Sequence, residues 1–195
     1  MISIGVLILL AYILGSVPSG YILGRLAGVD VRSVGSGNIG ATNVARALGK
    51  WQGTLTLAAD AAKGFLPVFT ALQLGLSPAA MALTAIAAFL GHLFPLFLKF
   101  QGGKGVSTAL GALLALAPMA TLVLIVVFAV VALASRIVSL GAIAAALAAP
   151  LMLWLFLQPP AIVGMGLFLA AMIILRHRSN IQRMLAGTEA RFGAD

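Results

Sequence analysis

Long apolar runs alternate with short polar segments along this chain of 195 residues. Several runs reach the ~20 residues that a helix needs to cross the hydrocarbon core of a bilayer. The first run has no basic residue ahead of it and no small-residue cleavage site, so we expect a retained helix and not a secretory signal. Clear spans are predicted at Ile2–Gly24, Gly53–Leu76, Ala79–Leu98, Ile137–Leu157 and Pro160–Leu175.

The stretch from Val106 to Ala134 is long for one span and short for two. Pro118 lies near its middle, where proline breaks or kinks a helix. If the chain turns back there as two short helices, every Lys and Arg except Lys63 falls on one side of the membrane, as the positive-inside rule prefers. We therefore predict an all-α polytopic membrane protein that forms a single domain over residues 1–195. It has seven transmembrane helices, two of them short and packed inside the bundle, with the amino terminus outside and the carboxyl terminus in the cytoplasm.

Composition agrees with a membrane protein, because 62% of the residues are hydrophobic and only 8% are charged. Twelve Lys and Arg against four Asp and Glu give a net charge of +8. The basic residues are divided among short loops beside the membrane, which is typical of contact with anionic lipid, so no nucleic-acid partner is predicted. The chain has no Cys, and its few His and acidic residues lack metal-ligand spacing, so we predict no metal and no cofactor.

The first polar loop, Gly35–Asn43, is rich in glycine, hydroxyl and amide groups. Such a loop lets backbone N–H groups converge on an anion, and Arg46 beyond it could complete a phosphate clamp. The loop fits the pattern GxGxxG, but no strand precedes it, so a dinucleotide site is not indicated. A tight turn at the membrane interface is the alternative. The candidate residues within the loop are Ser36, Gly37, Asn38, Thr42 and Asn43.

The second polar loop has a lysine among glycines at the start of a helix, an arrangement that favours an anion. It is not a Walker A motif, because Leu98 stands where that motif has Gly and Gly105 where it has Ser or Thr. The alternative is an ordinary cytoplasmic Lys beside the membrane. The candidates in this loop are Gly102, Gly103, Lys104, Gly105 and Ser107.

A third polar segment follows the last apolar run. His177 and Asn180 share a face if this segment is helical, and His177 is a candidate general acid or base, or a phosphate donor. The alternative is a basic anchor at the membrane interface, supported by a stripe of apolar residues on the same segment. Glu189 is expected to pair with Arg183 or Arg191.

Two charges, Asp60 and Lys63, lie inside the second predicted span, where unpaired charges are costly. Their spacing of three residues lets them neutralise each other on one helix face. A structural ion pair is favoured over a direct substrate role. His92 is expected to be a packing or helix-end residue.

Three segments resemble the bacterial acyl-phosphate:glycerol-3-phosphate acyltransferase family. They read GSGNIGATNVARALGK (35–50), GHLFPLFLKFQGGKGVST (91–108) and RHRSNIQRMLAGTE (176–189), with DAAKG (60–64) and SRIVSL (135–140) between them. One departure is Ser107, where the family often has Ala. Neither His92 nor His177 is followed by Asp five residues later, unlike the acyltransferases that have an HxxxxD motif.

The resemblance implies transfer of a fatty acyl group from acyl phosphate to the 1-position hydroxyl of glycerol 3-phosphate, giving lysophosphatidic acid and inorganic phosphate. This is the first acylation of bacterial phospholipid synthesis, catalysed in the inner membrane at its cytoplasmic face. Functional coupling to the enzyme that produces acyl phosphate is also implied. The implied catalytic residues are Ser36, Arg46, Lys104, His177 and Asn180, with Ser139 holding substrate and Asp60, Lys63, His92, Arg183, Gly187 and Glu189 in supporting positions.

Two other classes of protein fit part of the pattern. A transporter of organic phosphates would also need cationic glycine-rich loops and broken helices, but it should bind near the middle of the membrane. A non-catalytic scaffold could hold anionic lipid with its basic loops, but the dense Ser, Asn and Gly content would then serve no purpose. A product that forms only with substrate would distinguish the enzyme from both.

Overall fold

A computed structural model describes residues 3–193, and within that range every regular element is a helix, which confirms the all-α prediction. The described chain divides into two compact units, with the boundary between Leu116 and Ala117. The first unit contains α1 (Ile4–Ser16), α2 (Ser19–Leu26), α3 (Ala41–Leu48), α4 (Lys50–Gln73), α5 (Pro78–Leu93) and α6 (Val106–Leu116), and 3-10 turns at Val31–Ser33 and Leu96–Leu98. The second contains α7 (Pro118–Ser135), α8 (Val138–Leu155), α9 (Pro160–Arg176) and α10 (Arg178–Leu185).

Five helical stretches of the described chain are long and apolar enough to cross a membrane, and α9 with α10 form a further candidate that is bent by 56°. Helix α6 has only 11 residues, about 16 Å at 1.5 Å per residue, and so cannot cross alone. The count of seven crossings and the orientation of the termini stay predictions. The five stretches are Ile4–Leu26, Lys50–Gln73, Pro78–Leu98, Pro118–Ser135 and Val138–Leu155.

The break at Pro118 lies where the sequence predicts it. Helix α6 ends at Leu116 and α7 begins at Pro118, a position where the missing N–H of proline costs no helical hydrogen bond. The prediction of two short helices is wrong for α7, which has 18 residues. Its apolar run continues through Ser135, so the helix reaches spanning length, and only α6 is short.

The first predicted span also contains a break. Ile2 lies outside the described residues, and α1 ends at Ser16, with Pro18 separating it from α2. A break inside a membrane helix needs new partners for the backbone groups that it releases. Here the Lys63 ammonium donates to the carbonyl oxygen of Val17 at 2.6 Å, so a side chain of α4 supports the break.

Glycine allows close helix contact in the first unit. A methyl group at Gly15 would overlap the carbonyl of Ala88 on α5, and one at Gly111 of α6 would overlap the carbonyl of Ala61 on α4. Small residues let helix backbones approach where no water drives packing. The backbone of the short α6 therefore packs directly against that of α4.

We expect Gly111→Ala to destabilise the protein by about 1–3 kcal/mol, because an overpacked contact with backbone cannot relax by a rotamer change. The matched control is Gly164→Ala in α9, where an added methyl group meets no atom within 4 Å. Thermal unfolding in detergent should show a lower midpoint for Gly111→Ala and an equal or slightly higher one for Gly164→Ala, since alanine favours helix. Equal midpoints for both variants would contradict the close approach of α6 to α4.

Candidate functional site

The first polar loop is shaped by the side chain of Asn43, which lies in the first turn of α3 and is 2% exposed. Its Oδ1 accepts from the N–H of Ser36 at 2.9 Å. Its Nδ2 donates to the carbonyl oxygens of Val31 and Val34 at 2.8 and 3.0 Å. Both amide hydrogens of Asn43 are thus directed at loop carbonyls, so this residue holds the loop in shape.

The other residues of this loop are arranged around the side chain of Asn43. Gly35 and Gly37 have φ of 58° and 68°, values that favour glycine, and a side chain at Gly35 would collide with Asn43. Asn38 is also engaged within the loop, because its Oδ1 accepts from the N–H of Gly40 at 2.8 Å. The side chains of Ser36, Thr42 and Arg46 are exposed, so these three are placed to meet a ligand.

A buried apolar cluster lies beneath the first loop. The cluster consists of Val31, Ile39, Val44 of α3, and Leu98. Leu98 ends the 3-10 turn that leads into the second polar loop. The segment that leads into the second loop therefore packs against the residues that support the first loop.

The second polar loop is laid across the end of α5. The N–H groups of Gly102 and Gly103 donate to the carbonyl oxygens of Leu93 and His92 at 3.2 and 3.1 Å. Gly105, with φ of 84°, directly precedes α6, and its carbonyl accepts from the N–H of Ala109 at 2.8 Å. Lys104 is half-buried between these anchored glycines. The first N–H groups of a helix have no carbonyl partner within it, so the lysine and the helix end both favour an anion.

In the second unit, the carboxylate of Glu189 joins three donors. Ser139 donates to Oε1 at 2.6 Å, Asn180 to the same oxygen at 2.5 Å, and Arg183 to Oε2 at 2.7 Å. Of the two partners expected for Glu189, the structure contains the pair with Arg183. The resemblance gave Ser139 and Asn180 as substrate ligands and Glu189 as a supporting residue. The structure has Glu189 bonded to both side chains, so it orients Ser139 and Asn180.

Burial disfavours the charged form of Glu189, but hydrogen bonds from Ser139, Asn180 and Arg183 outweigh it and lower the pKa of this carboxyl below its ordinary value. A lowered pKa in the folded state means that the carboxylate stabilises the fold above the ordinary Glu pKa of about 4.3. That stabilisation is lost as the pH falls through the lowered value.

We expect Glu189→Gln to reduce the free energy of unfolding by about 1–2 kcal/mol near neutral pH, because hydrogen bonds to a charged acceptor exceed those to an amide. The difference in unfolding midpoint between wild type and variant should shrink as the pH falls below about 4. Thermal unfolding in detergent over a pH series measures this. A difference that is independent of pH would show that the charge of Glu189 does not stabilise the fold.

His177 lies at the bend between α9 and α10 and is 2% exposed. Its Nδ1 is 2.8 Å from the carbonyl oxygen of Ile173. A carbonyl can only accept, so Nδ1 carries the hydrogen and, in the neutral imidazole, Nε2 has the lone pair. The contact thus selects the tautomer that a general base using Nε2 requires.

The charges inside the second span form the ion pair that the sequence predicts. Lys63 Nζ lies 2.6 Å from Asp60 Oδ1, and both side chains are buried. His92 is also buried, in the last turn of α5, with its Nδ1 3.8 Å from the same oxygen. The sequence predicted His92 to be a packing or helix-end residue, and it lies in the last turn of α5, but its position beside the pair was not predicted.

Comparison with known proteins connects these features to a family. The family model for glycerol-3-phosphate acyltransferase matches residues 5–187. The chain belongs to the glycerol-3-phosphate acyltransferase family. This acyltransferase is 46% identical to the glycerol-3-phosphate acyltransferase of Geobacter sulfurreducens over 97% of both chains.

Two solved structures resemble the acyltransferase along nearly its whole length. The first is the integral membrane glycerol 3-phosphate acyltransferase PlsY (YgiH) in its glycerol 3-phosphate form, with 43% identity and a TM-score of 0.95 over 97% of this chain and 96% of that one. The second is its lysophosphatidic acid form, with 42% identity and a TM-score of 0.92 over 97% and 95% of the two chains. The acyltransferase is thus a membrane enzyme, and the resemblance found in its three polar segments is confirmed.

Proposed function

We propose that this acyltransferase transfers a fatty acyl group from acyl phosphate to the 1-position hydroxyl of glycerol 3-phosphate. The hydroxyl oxygen attacks the acyl carbon, the bond from that carbon to the phosphate oxygen breaks, and the products are lysophosphatidic acid and inorganic phosphate. The observation that carries the proposal is the Gly102–Gly105 loop at the start of α6, whose lysine and helix end suit a phosphate. No covalent acyl-enzyme is needed, because the donor already has a good leaving group.

In the first unit, Lys104 neutralises the negative charge that develops on the departing phosphate, which is the main task when the donor is already activated. The exposed Ser36, Thr42 and Arg46 bind phosphate oxygens, and the guanidinium of Arg46 does so through two parallel donors. N–H groups in the first turn of α6 complete the cradle. Asn38 and Asn43 act by holding the first loop in shape.

In the second unit, His177 takes the proton of the attacking hydroxyl through Nε2, the nitrogen left with a lone pair by its contact with Ile173. A phosphate oxygen of glycerol 3-phosphate is the alternative acceptor of that proton. Asn180 and Ser139 are proposed to bind glycerol 3-phosphate in the orientation that Glu189 imposes on them. Gly187, in the turn after α10, is exposed, with φ of 71°, which lets the chain turn back towards Glu189.

The proposed topology has seven crossings, formed by α1 with α2, then α4, α5, α6, α7, α8 and α9, with the short α6 packed against α4 instead of crossing alone. This arrangement places the basic loops on the cytoplasmic face of the bacterial inner membrane. We propose the same face for the active site, and a single acyltransferase domain over residues 1–195. Access to acyl phosphate made in the cytoplasm would then couple this enzyme functionally to the one that produces it.

The test is formation of lysophosphatidic acid by the purified protein in detergent, given palmitoyl phosphate and glycerol 3-phosphate. A parallel reaction contains palmitoyl-CoA in place of palmitoyl phosphate. Product from palmitoyl phosphate alone is the expected result. Product from palmitoyl-CoA alone would show that acyl phosphate is not the donor. If a folded sample formed product from neither donor, the proposed reaction itself would be wrong.

A further inference from the structure

We propose that the buried group formed by Asp60, Lys63 and His92, here called the charged cluster, positions the Lys104 loop for catalysis. The inference rests on the proposed function of that loop as the phosphate cradle. The charged cluster lies within the first unit, and its three side chains are between 3% and 5% exposed. None of the three is proposed to contact substrate, so they are positioning residues.

One side of the His92 ring faces the ion pair. His92 Nδ1 is 3.5 Å from Lys63 Nζ and 3.8 Å from Asp60 Oδ1. Lys63 is fixed in turn, because it bonds to Asp60 at 2.6 Å and to the Val17 carbonyl at 2.6 Å. The charged cluster thus joins α4, the end of α5 and the break between α1 and α2.

The other side of the ring faces the loop. A methyl group at Gly103 would overlap His92 Nε2, so that nitrogen lies directly against the loop backbone. The N–H of Gly103 donates to the carbonyl of His92 itself at 3.1 Å, and Gly102 is bound to Leu93 in the same way. Lys104 follows Gly103 in the chain. The orientation of the imidazole therefore sets the backbone position from which the Lys104 side chain extends.

A buried ion pair is a poor choice for stability alone. Removing two charges from water is costly, and apolar residues of similar volume often stabilise a fold as well or better. Charged and hydrogen-bonded groups are directional, however, while apolar contacts tolerate sliding and rotation. The charged cluster supplies a fixed direction to a loop that is mostly glycine and has few side chains of its own for packing. A displacement of about 1 Å at such a group can cost roughly 100-fold in rate.

The first experiment compares two substitutions of His92. His92→Phe replaces the imidazole with a somewhat larger aromatic ring that has no nitrogens, and we expect kcat/KM to fall by about 10- to 100-fold. His92→Gln keeps a polar end group and should recover part of that loss. If His92→Phe does not fold, Asp60→Asn is the alternative variant. It is nearly isosteric and removes the charge on the side of the His92 ring that faces the ion pair. Unchanged kcat/KM in a folded His92→Phe or Asp60→Asn protein would overturn the proposal.

A double-mutant cycle tests the contact with the loop. Gly103→Ala adds a methyl group that collides with His92, and His92→Ala makes room for it. If the contact positions the loop, the loss of activity in the double variant should be smaller than the product of the two single losses. The matched control combines Gly103→Ala with Thr84→Ala, because Thr84 is another buried polar residue of α5. In this control the loss of activity in the double variant should equal the product of the two single losses. Multiplicative losses in both cycles would overturn the proposal.

A spectroscopic measurement tests positioning without any turnover. The chain has no Cys, so Gln101→Cys can carry a single nitroxide label at the exposed start of the loop. Gln73→Cys, at the opposite end of α4 from Lys50, is the control site. His92→Phe should increase the mobility of the label at position 101 and leave that at position 73 unchanged. Equal spectra at position 101 would overturn the inference, and a lack of product in the wild type would overturn only the proposed function.

Discussion

Lys104→Met is expected to lower kcat/KM by about 100- to 1,000-fold, the largest effect of any single substitution in the first unit. A donor aimed at developing charge in a site shielded from water is worth about 3–4 kcal/mol of transition-state stabilisation. Lys104 follows Gly102 and Gly103, which are bonded to the end of α5, and precedes Gly105, which is bonded to Ala109 of α6, so its backbone is held in place. Steady-state formation of lysophosphatidic acid from palmitoyl phosphate measures the loss.

The matched control is Lys99→Met, which removes the same charge from an exposed position five residues earlier. Its kcat/KM should change by less than about threefold, because an exposed charge is screened by solvent. Lys104→Arg should keep part of the activity, since it preserves the charge but not its compact shape. Similar losses for Lys99→Met and Lys104→Met would show that net charge, and not the place of Lys104, governs the reaction.

His177→Gln is expected to lower kcat by about 100- to 10,000-fold, the range that a general base contributes. Glutamine retains a hydrogen-bonding end group but cannot accept a proton near neutral pH. The loss should be in kcat more than in KM, because proton transfer belongs to the transition state. Initial rates at varied glycerol 3-phosphate, repeated over a pH series, separate the two parameters.

Arg178→Gln provides the control for this substitution, because Arg178 is the neighbouring residue and is exposed. Its kcat should stay close to that of the wild type. If His177→Gln retained near-normal kcat throughout the pH series, His177 would not be the base. The proton would then pass to a phosphate oxygen of the substrate.

The sequence was sufficient to predict the features that depend on local composition. Apolar run length predicts the spans, because crossing the hydrocarbon core requires a certain number of residues. The restrictions on proline predict the break at Pro118. Even so, the break at Pro18 was not predicted, since a proline near a span end is compatible with a continuous helix. Lys63, which donates a hydrogen bond to the backbone at that break, lies on another helix.

The parts of the site that were missed all depend on partners distant in the chain. Asn43 was expected to be a ligand because its chemistry suits an anion, but the carbonyls it binds lie nine and twelve residues earlier. Ser139 and Glu189 are 50 residues apart, so nothing in their local sequence indicates that they are bonded. Residue type predicts which groups can donate or accept. Only the fold determines which of them are already engaged.

The contacts of Asn43 have a consequence for the thermodynamics of substrate binding. Because one side chain of the protein bonds to Ser36, Val31 and Val34, the first loop is already in a defined shape before a phosphate arrives. A flexible glycine-rich loop would lose about 1–2 kcal/mol of conformational entropy for each residue that it orders on binding. Here that cost is met during folding. For the proposed phosphate ligand, ordering of the first loop therefore does not oppose binding.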